Sequence, residues 1–404
     1  MLHVRSIAQR LENPPLTLKP PERSAKAMTD YRALFDLPPD TAYFNAAQVG
    51  PLPIKAAEAG HAAYRDKLRP WGHTTTQTFF DLPESVRAQA AKLFGAKPDD
   101  IAIVPAASYG LATAARNLSL KPGDEIVILD GQFPSNVYTW RALAKETGAQ
   151  IRTVKRETEQ TWTNALLDAI GVRTALVACG ALHWIDGGRV DLEAVSKAAR
   201  AQGAALVLDL TQSLGVMPFD VKTIDPDFVV AAAYKWMLGP YATGYLYAAP
   251  RHQDGVPLEE NWINRSDSQD FSRLIDYRDT YDVGARRFDM GERSNHQLLP
   301  AALESLNLLN GIGVDEIARQ CAATSTLIKE AVAPLGLCAD IPEQAPHYLS
   351  LSLPDGAPAD LAAPLREHDV HASQRGPRLR ISAHIYNTAD DVDRLVTALK
   401  AILG

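Results

Sequence analysis

Five short, nearly uninterrupted apolar runs punctuate the first part of the chain: IAIVPAAS (101–108), DEIVILD (124–130), TALVACGAL (174–182), AALVLDL (204–210) and PDFVVAAA (226–233). Each is flanked by Gly, Pro or Asp, and helix-period stretches such as LATAARNL and DLEAVSKAARAQG lie between them. Apolar runs without alternation predict strands buried on both faces, and their interleaving with helices predicts an α/β unit built on a mainly parallel sheet. After Met290 the pattern lengthens into helical stretches (NHQLLPAALESLNLLNGIG, VDEIARQCAATSTLIKEAVAPLG), then HYLSLSLPD, RLRISAHIYN and a final helix TADDVDRLVTALKAIL. That mixture predicts a smaller α+β domain. The expected division is an N-terminal arm (1–40), a large α/β domain (41–290) and a small C-terminal domain (291–404).

Composition narrows the partners. The 404 residues are 46% hydrophobic and 22% charged with a net charge of −7, which is ordinary for a globular protein and lacks the basic excess a nucleic-acid surface requires. A small-molecule partner is expected, with no nucleic acid. Three cysteines, Cys179, Cys321 and Cys338, show no paired spacing, so neither a disulfide framework nor a metal knuckle is expected. No run of 18 apolar residues occurs and the N-terminus has no signal-like apolar stretch, so a cytoplasmic protein without a membrane partner is expected. Residues up to about Met28 read as an arm, and Met28 is a candidate start.

Four places carry candidate chemistry. In VPAASYGLATAARNL a strand ends and a helix begins at Ser108-Tyr109-Gly110, bringing free N–H groups and a hydroxyl together as an anion cradle or, more plainly, a cap. In LVLDLTQSLG, Asp209 closes a strand with Gln212 after it. A carboxylate at that strand end either faces a ligand crevice or only forms a turn. In AAAYKWMLGPYATGYLY, Lys235 stands among aromatic and small residues. It is either a snorkelling stem or a desolvated amine of lowered pKa, ready to attack a carbonyl. In DGQFPSNVYTW, Phe133 and Trp140 sit in a loop after a strand, where aromatics plug a core or stack on a flat ligand. Their order is that of the parts needed to hold a flat phosphorylated aldehyde.

With these motifs in place, the chain resembles the fold-type I pyridoxal-phosphate (PLP) enzymes of aminotransferase class V, a group that includes cysteine desulfurases, isopenicillin N epimerase, kynureninase and C–S lyases. The resemblance runs from YFNAAQVGPLP to YNTADDVDRLV, about residues 41–400. It implies a seven-stranded, mainly parallel sheet with flanking helices, a smaller α+β C-terminal domain and a homodimer. It also implies that Lys235 is the Schiff-base lysine and acid/base, that Asp209 pairs with the pyridine N–H, and that Gln212 bonds the phenolic oxygen. Phe133 would cover the ring, and Ser108, Tyr109 and Tyr234 would hold the phosphate. Ala232 stands where many relatives have a phosphate-binding serine. Arg380 would clamp a substrate α-carboxylate, with Asn45, His183 and Trp184 near substrate or cofactor. Ser294 or Arg293, in RRFDMGERSN, would reach toward a partner's cofactor.

Within the family the loop EHDVHASQRGPRLRIS has no cysteine, so persulfide-forming desulfuration is not expected. Arg375 and His371 stand there instead and suit a larger or more acidic substrate. The combination of motifs most resembles the epimerase and C–S lyase branch. The leading expectation is a PLP enzyme that abstracts the α-proton of an amino acid and eliminates a β-substituent through sulfur. A class V aminotransferase or an amino-acid epimerase is the alternative, and a cofactor-binding protein without turnover a further one.

Overall fold

The structure is a computed structural model that describes residues 29–72 and 77–404; the candidate start at Met28 and the arm before it lie outside the described residues. Strand β1 is Ala42–Tyr43, and seven strands follow: β2 (Ile101–Val104), β3 (Glu125–Leu129), β4 (Gln150–Val154), β5 (Thr174–Cys179), β6 (Ala205–Asp209), β7 (Phe228–Ala232) and β8 (Gly244–Ala248). These seven form one sheet in the order β2-β8-β7-β6-β5-β3-β4. Only β8 runs against its neighbours, pairing antiparallel with both β2 and β7. The seven-stranded, mainly parallel sheet is the one expected, and the five apolar runs are β2, β3, β5, β6 and β7.

Two physical facts hold this unit together. One is burial on both faces: β2, β3, β7 and β8 have no exposed position, because separate apolar layers pack above and below the sheet. The other is close approach at Gly110. A Cβ there would sit 2.5 Å from Val230 Cγ1, so only glycine lets the helix Ala107–Arg116 lie down on β7. That contact aims the helix N-terminus at the carboxyl ends of the central strands.

The C-terminal unit contains β9 (Leu349–Ser352), β10 (Val370–His371), β11 (Ser373–Arg375) and β12 (Arg378–Ile381), with β11-β12-β9 an antiparallel sheet. Helices Val314–Val332 and Ala389–Leu403 contribute Ile328, Leu395 and Leu399 to its core, which also contains Ala42 and Phe44. The packing therefore departs from the boundaries expected at 40 and 290. Strand β1 pairs in parallel with β10, and Arg32 bonds the Asp391 carboxylate at 2.9 and 3.0 Å, so the described part of the arm is fastened to the small unit. Conversely, the helix Leu299–Ile312 places Leu299, Leu306 and Leu309 in the large unit's core. Hydrophobic periodicity tells which face is buried but not against which partner.

Between β8 and that helix the chain is irregular and is pinned by a buried charge cluster. Asp289 accepts from both Arg87 Nη atoms (3.0 and 2.7 Å), from Arg293 Nη1 (2.8 Å) and from the Ile103 N–H (2.6 Å). Removing a buried partner strands the opposite charges. Asp289→Ala is expected to cost about 3–5 kcal/mol, measured as a lower denaturant midpoint at an unchanged slope.

Candidate active site

The lysine segment takes its shape from local backbone bonds. After β7 ends, the Ala233 N–H donates to Thr243 O (2.9 Å), the Gly239 N–H to Ala233 O (2.9 Å) and the Leu238 N–H to Lys235 O (3.2 Å). Leu238 and Ala242 adopt positive φ, 54° and 58°, a conformation side chains tolerate only where surrounding structure enforces it. From the other side the Gly50 N–H donates to Tyr234 O at 2.8 Å. A Cβ on Gly50 would lie 2.2 Å from Lys235 O, so this approach also demands glycine. Lys235 is thereby held with only 6% of its surface exposed.

Its amine borders a cavity of about 280 Å³ at the carboxyl ends of the strands, lined by Ser108, Phe133, Trp184, Asp209, Gln212, Ala232, Tyr234 and Lys235 among others. The Lys235 Nζ lies 5.4 Å from the Phe133 ring centre and 5.6 Å from that of Tyr234. Phe133 stands edge-to-face on Trp184 at 5.3 Å, and the Trp184 indole N–H donates to Gly131 O at 2.7 Å. Burial is the main reason the amine is pushed down from 10.5 to about 8; the Asp209 charge opposes this, while those of Arg380 and Arg375 add to it. Asp209 is raised, again by burial first, against bonds from Thr211 and the field of Lys235. Its Oδ1 accepts the Thr211 N–H at 3.0 Å. Among the described residues neither group has an ion-pair partner.

Gln212 is oriented without ambiguity. The Trp236 indole N–H, which can only donate, reaches Gln212 Oε1 at 2.9 Å, and Gln212 Nε2 donates to Ala47 O at 3.1 Å. One N–H of the amide is left over on a residue that borders the cavity. Behind it His347 contacts Gln212 O at 2.8 Å and His384 contacts Trp236 O at 3.1 Å. Burial pushes both histidines down to about 4, so they are neutral scaffold.

Arg380, on β12, is 1% exposed. Its Nε donates to Ser373 Oγ (2.7 Å), Nη1 to Tyr348 Oη (3.2 Å) and Nη2 to Asn45 Oδ1 (3.4 Å). Its partner Tyr348 donates in turn to the carbonyl of Trp184, which lines the cavity, so Arg380 lies close to the cavity without bordering it, and its charge adds to the lowering of Lys235. Arg375 borders the neighbouring groove, its guanidinium carbon 5.8 Å from the Trp184 ring centre.

Three expected contacts are not formed at the cavity within the chain. Tyr109 does not line it; burial first, and then the Glu259 carboxylate, raises its phenol, while Ser108 stays at the mouth. His183 is buried, meeting Asp130 O at 3.0 Å and the Trp162 ring at 4.4 Å; its neighbours Leu182 and Trp184, in the turn after β5, line the cavity instead. Ser294 donates to Phe79 O at 2.5 Å and Arg293 is committed to Asp289. Sequence reading also passed over contributors whose signal is weak: Thr211, whose hydroxyl accepts the Ala232 N–H at 3.1 Å, Gln132, Ser135 and Tyr241 on the cavity wall, and Tyr348 beneath Arg380.

The residues fit PLP. A carboxylate without a cationic partner suits a ring N–H, and an aromatic face suits the ring. The uncapped N-terminus of the helix Ala107–Arg116, beside the Ser108 hydroxyl, suits a phosphate, and the lysine amine suits an aldehyde. Comparison with known proteins agrees. The chain is 27% identical over 341 residues to the uncharacterized aminotransferase YcbU of Bacillus subtilis, covering 84% of this chain and 88% of that one. It is 26% identical to the isopenicillin N epimerase of Streptomyces clavuligerus, covering 91% and 96%. A solved structure of a C-DES variant, with glycine covalently linked to its PLP cofactor, superposes with a TM-score of 0.83 at 21% identity, covering 93% of this chain and all of that one. The aminotransferase class-V family model matches residues 54–395, and the chain belongs to that family of PLP-dependent enzymes.

Proposed function

We propose that this enzyme abstracts the α-proton of an amino acid and eliminates a β-substituent through sulfur. The observation that carries the reading is a buried amine, Lys235, pushed down to about 8, at a cavity where Arg380 lies within its electrostatic reach. Arg380 binds the α-carboxylate, with Ser373, Tyr348 and Asn45 fixing its fork. Bound PLP supplies the electron sink that makes the α-proton acidic. Lys235 takes that proton, Asp209 keeps the ring nitrogen protonated, and Phe133 with Trp184 shields the site from water. The Cβ–S bond breaks with its electron pair leaving on sulfur.

Persulfide-forming desulfuration lacks its nucleophile. Cys179 and Cys321 are buried with thiols pushed up to about 12, and Cys338 is exposed on another part of the small unit, paired by backbone with Ser352. Similarity to an epimerase over nearly the whole chain supports epimerisation as the second reading. Offering a panel of cysteine S-conjugates and other amino acids separates them: pyruvate, ammonia and a thiol mark the lyase. Solvent-deuterium exchange without pyruvate marks the epimerase, and keto-acid exchange an aminotransferase.

The base assignment has a pH signature. Because Lys235 holds the cofactor until substrate displaces it and acts as the free amine only in the substrate complex, kcat rather than kcat/KM is expected to rise with pH and level off above about pH 8. A profile flat from pH 6 to 9 would remove Lys235 as the titrating base.

We also read the protein as a homodimer. Tyr64, Leu68, Trp71, Ile275 and Tyr277 are large apolar groups left 62–91% exposed on the single chain, which supports a further partner surface; light scattering of the purified protein decides. Among the described residues no helix is long and apolar enough to cross a membrane.

A further inference from the structure

Two guanidinium groups converge on this site, and among the described residues neither meets a carboxylate. Arg380 is held entirely by neutral partners, Ser373, Tyr348 and Asn45. Arg375 donates to Gln374 O at 2.8 Å and lies 5.8 Å from the Trp184 ring centre. The contrast within the hairpin is informative. In the β11–β12 register Ser373 faces Arg380 and Arg375 faces Arg378, so all four side chains share one face. Arg378 is neutralised by Asp340 and further held by Ser350. The chain thus neutralises one arginine of the hairpin and leaves two charged beside a cavity, at a cost in mutual repulsion. Partial burial is the main cause that lowers Arg375, and the field of Arg380 adds to it.

The two arginines serve different spaces. Arg375 borders a second groove, of about 330 Å³, that also exposes Asn45, Arg366, His371 and Gln374. Among the described residues the one carboxylate on that groove, Asp360, accepts the Ala362 and Ala363 N–H groups at 2.9 and 3.4 Å. Trp184, on the wall of the lysine cavity, lies beside Arg375, and the Arg380 partners Asn45 and Ser373 line the groove, so the two spaces are neighbours. An amino acid held by Arg380 with its α-carbon at Lys235 would direct its side chain past Trp184 toward Arg375.

We propose that Arg375 forms a second anion subsite, so that the substrate is an amino acid whose side chain ends in a further anionic group such as a carboxylate or sulfonate. This rests on the reading of the lysine cavity as an amino-acid site. A guanidinium beside an aromatic ring, in a groove partly withdrawn from water, offers an acidic side chain charge-assisted hydrogen bonds that a neutral one does not receive.

The test compares the holoenzyme with its Arg375→Gln and Arg375→Lys variants, the unchanged visible absorption of bound PLP serving as the check on folding. Calorimetry with glutarate against butyrate reads the subsite without turnover. The native protein is expected to bind glutarate about 10–100-fold more tightly, an advantage that Gln removes and Lys partly restores. In kinetics, S-carboxymethyl-L-cysteine is compared with its neutral isostere S-carbamoylmethyl-L-cysteine. Arg375→Gln is expected to lower kcat/KM about 10–100-fold for the acid and less than threefold for the amide. Equal losses with both compounds would assign Arg375 to the α-carboxylate or the scaffold and overturn the subsite, as would equal native affinity for glutarate and butyrate. If neither conjugate is turned over, the lyase reading fails, while the calorimetry still decides the subsite.

Discussion

Lys235→Ala is expected to abolish turnover, a loss of about 10⁴-fold or more, since one amine both binds the cofactor aldehyde and moves the α-proton. Among the described residues Lys235 is the sole lysine or histidine on the wall of its cavity, so none of them takes over either task. The check is independent of activity. Borohydride reduction of the native holoenzyme should fix the cofactor on the peptide containing Lys235, and the variant should give no such product. An adduct on any other lysine of the native protein overturns the assignment. The fold should survive, because Lys235 contributes a buried amine rather than a packed apolar group, and burying that amine is itself costly; unchanged far-UV circular dichroism would show it.

Arg380→Ala is expected to raise the KM for amino-acid substrates by about 100-fold while leaving the resting visible spectrum in place. The side chain touches Ser373, Tyr348 and Asn45 but none of the groups assigned to the cofactor. A variant that binds PLP normally and substrate poorly is therefore the signature of a carboxylate clamp. Loss of the resting spectrum would instead show that Arg380 is structural. Arg380→Lys should recover only part of the affinity, since an ammonium keeps the charge but not the two-pronged geometry. Removing the Arg380 charge should also let the Lys235 amine titrate at higher pH, because that charge is one of the causes that lower it.

The sheet was largely legible in the chain because buried parallel strands are apolar along their whole length, and five such runs became five strands. Strand β4, QIRTV, was not read, since as the outermost strand it exposes most of its residues and carries polar groups on both faces. The short strands β10 and β11 were hidden for a related reason: two or three residues contain too little alternation to register. Of the candidate site residues, Lys235, Asp209, Ser108, Phe133, Gln212, Tyr234 and Trp184 line one cavity. Tyr109, His183 and Ser294 do not join them within the chain. Each is one position from a residue whose surroundings differ, and a motif specifies a neighbourhood while φ and ψ decide which side chain faces inward.

What the sequence by itself determined was the set of parts and their order: a helix start with a hydroxyl, an aromatic loop, a carboxylate closing one strand and an amine following the next. Local chemistry is sufficient for that, since apolar runs, caps and glycines act over a few residues. The tertiary structure alone decided what those parts become. Lys235 is ordinary until Gly50, from a segment far away in sequence, presses on its carbonyl and burial drives its amine down to about 8. Arg375 and Arg380 are two charges on a hairpin until the fold gives Arg378 a carboxylate and, among the described residues, withholds one from the other two. Desolvation and charge pairing are properties of a surrounding volume, and the residues that fill that volume come from every part of the chain.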